Sequence, residues 1–151
     1  KKVNYDIDSI GFRDHMTNVN AAVGISQLKK IDRIKKRKFE IVKLYEKNLE
    51  DLDNIKIPNF DKKNIVPFLY PIRVNSKIRD DLRHYLKKNN IFTGLHWYPL
   101  HKMSLFRKFR SDKLKNTNMV YKELISMPFH AKLTNKDVEK VCYRLRKFLN
   151  E

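Results

Sequence analysis

Gly11-Phe12-Arg13-Asp14-His15-Met16-Thr17-Asn18-Val19-Asn20-Ala21-Ala22-Val23-Gly24-Ile25-Ser26-Gln27-Leu28 is the stretch on which the reading of this chain turns. A turn around Gly11 leads into a polar, charged segment, and the spacing then predicts a helix beginning near Thr17. The Thr17 hydroxyl can accept a hydrogen bond from an orphan backbone N–H of the first turn, which makes it the expected N-cap. Ala21, Ala22 and Gly24 flatten one side of that helix, as close packing against another helix or another subunit requires. Charged residues just ahead of a helix can hold an anion at its positive end.

Upstream, residues 1–10 read as a short extended segment in which Val3, Tyr5 and Ile7 alternate. Downstream, Val19, Val23, Ile25 and Leu28 recur at helical spacing. The pattern continues through Ile31 and Ile34 to Ile41, Val42, Tyr45, Leu49 and Leu52. That run is too long for one unbroken globular helix. Two helices are expected, over 17–29 and 32–52, with a kink between them. The basic run Lys29–Lys38 reads as their solvated side; it lacks the interleaved aromatics of a single-strand nucleic-acid surface.

Phe68, Tyr70, Ile72 and Val74 alternate strictly, predicting a strand over 66–74 with one buried face. Pro71 inside it argues for an edge position or a bulge. Ile78, Leu82, Tyr85 and Leu86 form a helical stripe closed by Asn89-Asn90, and Ile91–Trp97 reads as the next strand. Tyr98-Pro99-Leu100-His101 leaves it as a turn. A further helix is expected over 113–126, followed by a short extended piece at Met127-Pro128-Phe129. Thr134 opens the last helix, with Asp137 as a capping-box-like partner. Val138, Val141, Cys142, Leu145, Phe148 and Leu149 are its apolar stripe. This order suits an α+β fold (an α/β sandwich): a short, mostly antiparallel sheet with helices packed on one face.

With 151 residues, 41% of them hydrophobic, the chain can bury one ordinary core. Lys+Arg number 34 against 17 Asp+Glu, a formal net charge of +17. Such a balance raises nucleic acid or an anionic ligand as a partner. The Lys, Asn and Ile richness is also what A/T-rich codons produce, and that blander account is favoured. Cys142 is the single cysteine, which excludes an internal disulfide and a cysteine-based zinc cluster. No apolar run is long enough to span a bilayer and no secretory signal stands at the start, so a cytoplasmic location is expected. The start at Lys1-Lys2-Val3, without methionine, reads as that of a piece or a processed product.

Gly11, Gly24 and Gly94 form neither a G-x-G-x-x-G nor a P-loop spacing. His96 and His101 flank a turn but have no third ligand nearby, so no metal site is expected. His96, Trp97, Tyr98 and His101 read instead as the edge of a pocket. The imidazoles and phenol would hydrogen-bond a polar ligand there and Trp97 would stack on it. Spacing alone leaves an alternative equally open, in which Trp97 is core and His101 caps a turn. His15 near the helix start can carry a proton, or simply pair with Asp14. No nucleophile motif is present.

Several segments together carry a resemblance. Gly11–Gly24 resembles the "G-x-N-x-R-M-T-x-x-Q-A-A-x-G" segment of the DegT/DnrJ/StrS-type sugar aminotransferases, fold-type-I enzymes dependent on pyridoxal phosphate. Tyr70-Pro71-Ile72-Arg73-Val74 looks like the family's "Y-P-I-R-V", and Arg79-Asp80-Asp81-Leu82 like its "R-D-x-L". Ile91–His101 resembles "I-x-T-G-x-H-Y-x-P-L-H". Ser126-Met127-Pro128-Phe129-His130, Leu133-Thr134 and Asp137-Val138 resemble the closing "S-L-P-x-H … L-T-x-x-D-V".

The resemblance implies the C-terminal small domain of such an enzyme over 32–151, preceded by an interface segment and helix over 1–31. It implies pyridoxal phosphate as cofactor, a nucleotide-linked keto-sugar as substrate, an amino donor such as glutamate, and a homodimer. No counterpart of the family's cofactor-bonding "S-x-H-x-x-K" segment is present, so this chain alone is not expected to transaminate. Arg13 stands where the family carries the asparagine that reaches a neighbour's cofactor phosphate, and His15 where it carries a basic residue. A guanidinium can bind phosphate in bidentate fashion, so Arg13 would do similar work. His96, Tyr98 and His101 would face the sugar. The alternatives are a truncated, non-catalytic interaction domain and, less favoured, a basic nucleic-acid-binding domain.

Overall fold

The computed structural model describes residues 11, 12, 14–109 and 114–150. The expected extended segment over 1–10 and Arg13 lie outside the described residues. Packing divides the chain into two units, Lys1–Arg33 and Ile34–Glu151.

The first unit holds α1 (Asn18–Leu28). Thr17 caps it as expected: its hydroxyl oxygen accepts from the Asn20 N–H at 3.2 Å, and its carbonyl accepts from the Ala21 N–H at 2.9 Å. No residue of α1 is buried, and Val19, Val23, Ile25 and Leu28 are all exposed. The expected kink is a full break. A turn at Lys29-Lys30 separates α1 from α2 (Ile31–Leu49).

In the second unit α2 is followed by β1 (Ile55–Lys56), β2 (Tyr70–Val74) and α3 (Arg79–Lys88). Two 3-10 turns come next, Leu100–Lys102 and Ser104–Phe109. Then follow α4 (Lys115–Glu123), β3 (Leu124–Met127) and α5 (Asn135–Asn150). The sheet runs β1-β2-β3 and is antiparallel throughout.

The alternation read for β2 holds in part: Tyr70, Ile72 and Val74 are buried, but the strand begins at Tyr70 rather than at 66 and Phe68 is exposed, because strand pairing starts only at Tyr70 opposite Met127. Its position differs from the edge expected from Pro71, because β2 is the central strand. The register explains how proline is tolerated there. Pro71 is paired with Ser126, whose own N–H and C=O bond to Gly94 on the far side of β3. The nitrogen of Pro71 therefore faces the β1 side, where pairing reaches only Arg73 and Val74. Two other expectations are corrected. Ile91–Trp97 is not a strand; only Gly94 bridges to the sheet, through Gly94 N–H to Ser126 O and Ser126 N–H to Gly94 O, both 2.9 Å. The helix expected over 113–126 ends at Glu123, and Leu124-Ile125 belong to β3, whose burial requires the extended backbone that starts at Leu124.

One core joins the helices to the sheet. Ile41, Val42, Tyr45 and Leu49 of α2, Leu82 and Leu86 of α3, and Val138, Val141, Cys142 and Leu145 of α5 pack with Tyr70, Ile72, Val74, Ile125 and Met127. Tyr45 stacks on Tyr70 with centroids 4.5 Å apart and donates its hydroxyl to the Pro128 carbonyl at 2.8 Å. Burial pushes the Cys142 thiol up to about 12, against a weaker lowering by Arg146, so it stays a neutral apolar filler. Polar clamps hold α5 to α2. Arg37 donates to the Leu133 carbonyl at 2.6 and 3.2 Å and to Asn135 at 2.9 Å, while Arg146 bonds the Asn48 carbonyl at 2.8 Å and the Asp51 carboxylate.

The capping box at α5 is formed. Asp137 accepts from the Thr134 N–H at 2.8 Å and its hydroxyl at 2.7 Å, while the Thr134 hydroxyl oxygen accepts from the Asp137 N–H at 3.2 Å. These bonds, the hydroxyl's first, hold the Asp137 carboxyl below the usual carboxylate range. A depressed folded-state value stabilises the fold above the unfolded pKa, and that contribution is lost as pH falls through the folded value. Thr134→Ala is expected to lower unfolding free energy at neutral pH by about 1 kcal/mol, the usual worth of an N-cap. Urea titrations at neutral pH and at pH 3 check this: the difference between variant and parent should shrink at the lower pH.

Candidate functional site

The site is built from the segment that follows the Gly94 bridge and from α4. Both are anchored to the sheet. Gly94 is held by its two bonds to Ser126, and α4 runs directly into β3. The last residue of α4, Glu123, accepts from Nε and Nη2 of Arg73 on β2 at 2.9 and 2.7 Å. Between the two elements lies a cavity of about 390 Å³. His96, Trp97 and Pro99 form one side of it, and Asn116, Val120 and Tyr121 contribute from α4.

Gly94 is needed for the way His96 sits. A Cβ at that position would stand 2.8 Å from Nδ1 of His96 and closer still to Cε1, so only glycine lets the ring lie over the backbone. Nδ1 is buried there without a hydrogen-bond partner, as is the Ser126 hydroxyl. The His96 ring meets Trp97 edge-on, with centroids 5.1 Å apart and planes at 75°. Trp97 is 67% exposed, which rejects the reading that places it in the core. Its indole is an open wall of the cavity.

Tyr98 and His101 are tied to α4. The Tyr98 ring meets Tyr121 edge-on at 5.4 Å and 88°. His101 lies in the 3-10 turn Leu100–Lys102, and its Nε2 is 3.0 Å from Oδ1 of Asn118. Tyr121 is also flanked by two cations. The Arg79 guanidinium lies 5.7 Å from its centroid and the Lys102 ammonium 6.0 Å. Arg79 is only 8% exposed; its Nε is 3.1 Å from the Asp80 carboxylate without hydrogen-bond alignment, and its Nη1 has no partner. No carboxylate and no lysine lines the cavity itself. Its chemistry is that of hydrogen-bonding and stacking groups beside positive charge, suited to a polar ligand carrying negative charge.

Of the three residues expected to face a ligand, His96 lines the cavity, whereas Tyr98 and His101 lie outside its lining and contact α4 through Tyr121 and Asn118. His15 belongs to the first unit, where it is exposed and makes no ion pair with Asp14 among the described residues. Sequence reading missed the α4 side: Asn116, Asn118 and Tyr121 carried no signal beyond an ordinary helix. It also missed the burial of Arg79, which read only as a helix start.

The sequence model of the DegT/DnrJ/EryC1/StrS aminotransferase family matches residues 1–146. This chain belongs to that family. It is 35% identical to an uncharacterised protein of Methanocaldococcus jannaschii over 97% of this chain and 40% of that one. It is 29% identical to the UDP-4-amino-4,6-dideoxy-N-acetyl-beta-L-altrosamine transaminase of Campylobacter jejuni, over 89% of this chain and 37% of the enzyme. Among solved structures, NtdA of Bacillus subtilis with bound cofactor PMP superposes with a TM-score of 0.87 at 20% identity, covering 99% of this chain and 36% of that one. The chain therefore spans about 40% of the length of the curated relatives it matches. The likeness to the solved structure shows the small α+β fold. Among the described residues no helix is long and apolar enough to cross a membrane.

Gly94→Ala should force the His96 ring off the backbone and disturb its contact with Trp97. Trp97 is the chain's single tryptophan, so its fluorescence reads the change directly. The expected outcome is a shifted or brightened Trp97 emission with unaltered far-ultraviolet circular dichroism.

Proposed function

We propose that this chain forms the sugar-facing wall of an enzyme that passes an amino group, typically from glutamate, to a nucleotide-linked keto-sugar in cell-surface polysaccharide or sugar biosynthesis. The carrying observation is the open cavity of about 390 Å³ walled by the exposed Trp97 and by His96. Family membership and the printed activity of the Campylobacter jejuni relative support the chemistry. In this reading Trp97 stacks on the ligand, and His96, Tyr98 and His101 address its hydroxyl groups. Arg79 and Lys102, both beside Tyr121, set the positive potential that favours a diphosphate.

Pyridoxal phosphate is the cofactor of this reading, and the cavity does not fit it. With neither a lysine nor a carboxylate in the lining, the cofactor's aldehyde and its pyridine nitrogen find no partner there. The cofactor is held mainly outside this chain, while Arg13 and His15 reach its phosphate across a homodimer. Residues 1–31 act as the interface segment and 32–151 as the small domain, in a cytoplasmic enzyme. Arg13→Ala in the complete enzyme is expected to lower cofactor retention, measured by cofactor absorbance after dialysis; unchanged retention removes Arg13 from the phosphate.

A second reading, a non-catalytic interaction domain, is favoured by α1, an uncharged helix with no buried residue. Ligand binding separates the two. Titrated with UDP-N-acetylglucosamine, this chain is expected to bind with a Kd in the millimolar range, about 4 kcal/mol. His96→Ala should weaken that binding about fivefold to tenfold, the worth of one hydrogen bond. No binding by calorimetry or by ligand-observed NMR favours the interaction domain.

A further inference from the structure

Where the cavity loop joins the sheet, two buried polar atoms have no partner: Nδ1 of His96 and the hydroxyl oxygen of Ser126. They share one corner of the fold. Gly94 and Ser126 exchange both of their backbone hydrogen bonds, each 2.9 Å, so they are directly opposed in an antiparallel bridge. Side chains of such a pair leave the same face, with Cβ atoms about 5 Å apart. Gly94 has no side chain, and the His96 ring takes its place. Nδ1 lies 2.8 Å, and Nε2 3.2 Å, from where a Cβ of residue 94 would stand. The imidazole is therefore the neighbour of the Ser126 side chain on that face. It is the face turned away from the core, because Ile125 and Met127, on either side of Ser126, pack against the helices.

Counting hydrogens shows how the two atoms can satisfy each other. The hydroxyl brings one hydrogen and can also accept; a neutral imidazole brings one N–H and one lone pair. If Nδ1 carried the hydrogen and gave it to Oγ, the hydroxyl hydrogen would stay buried without an acceptor. If the hydroxyl donates to a bare Nδ1, no hydrogen is orphaned. One bridging water alters the route and not the balance, since a bare Nδ1 still leaves fewer hydrogens to place. We propose that Ser126 is a positioning residue for His96: its hydroxyl donates to Nδ1, directly or across one water, and fixes the imidazole as the Nε2–H tautomer. His96 lines the cavity, and of its two nitrogens only Nδ1 is sealed off without a partner, so Nε2 is the nitrogen left to a ligand. His96 then offers the cavity a hydrogen-bond donor for an oxygen acceptor. It cannot act there as a base, because its lone pair is turned into the protein. This holds whatever chemistry the occupant has and does not depend on the sugar-facing reading.

The test uses the full 151-residue chain, labelled with nitrogen-15, at mildly alkaline pH where an ordinary imidazole is neutral. Long-range proton–nitrogen NMR is expected to show His96 as the Nε2–H tautomer. Its Nδ1 signal should be displaced from the position of an unbonded ring nitrogen toward that of a hydrogen-bonded one. Diethyl pyrocarbonate, which attacks an accessible imidazole lone pair, gives a chemical readout by peptide mass spectrometry. It should modify His96 more slowly than the exposed His84 and His130. In Ser126→Ala the Nδ1–H form should appear and His96 modification should speed up about fivefold, the factor that one hydrogen bond represents. Gly94→Ala displaces the ring rather than the hydroxyl and should release the tautomer in the same way.

An Nδ1–H tautomer of His96 in the unaltered chain overturns the proposal, as does an Nδ1 signal at the unbonded position; neither measurement needs a variant to fold. A Ser126→Ala chain with native far-ultraviolet circular dichroism, in which His96 stays purely Nε2–H and equally slow to react, also overturns it, because the hydroxyl would then not be what holds the ring. These outcomes leave the sugar-facing reading untouched, since the titration with UDP-N-acetylglucosamine tests that reading separately.

Discussion

The stacking of Tyr45 on Tyr70 is the contact on which the second unit depends. It joins the longest helix to the central strand, face to face, at a point where both side chains are fully buried. Burial raises both phenols well above their ordinary ionisation range, so the pair stays neutral and its apolar surface drives the packing. The Tyr45 hydroxyl is satisfied by the Pro128 carbonyl, just past β3. One residue thereby ties α2 to β2 and to the exit of β3. Ile72, Ile125, Leu82 and Leu145 fill the space around that tie.

The candidate site depends on this core at one remove. Its cavity lies off the edge of β3, and the loop that walls it is attached by two backbone hydrogen bonds between Gly94 and Ser126. A loop held so sparsely needs further fastening, and side chains supply it. Tyr98 leans on Tyr121, His101 bonds to Asn118, and the His96 ring lies over Gly94. These three aromatic groups of the loop are thus fixed by neighbours on α4 or, at Gly94, by the absence of a side chain. This is how a loop can hold the geometry that recognition requires.

Much of the fold was legible because its signals are local. The Thr17 cap, the Thr134–Asp137 box, the alternation through Tyr70 and Val74 and the stripes of α2, α3 and α5 each follow from spacing over a few residues. The failures occur where a long-range partner decides. Ile91–Trp97 has the composition of a strand, yet only Gly94 finds a partner. Leu124 and Ile125 fit a helical stripe with Val120 and Tyr121, yet pairing with Arg73 and Ile72 makes them strand. Pro71 suggested an edge, and the shortness of β1 is what lets it sit in a central strand.

By itself the sequence determined most of the helices, their caps, the buried faces of α2, α3 and α5, the family and the loop that carries His96, Tyr98 and His101, because periodicity and motif spacing are written along the chain. Tertiary structure alone decided what faces that loop. Asn118 is 17 residues from His101, and Arg73 is 50 from Glu123. No periodic pattern links positions so far apart. Their meeting is set by the antiparallel pairing of β2 with β3, which places α4 opposite the Gly94 loop and so makes a cavity out of two segments that are separately unremarkable.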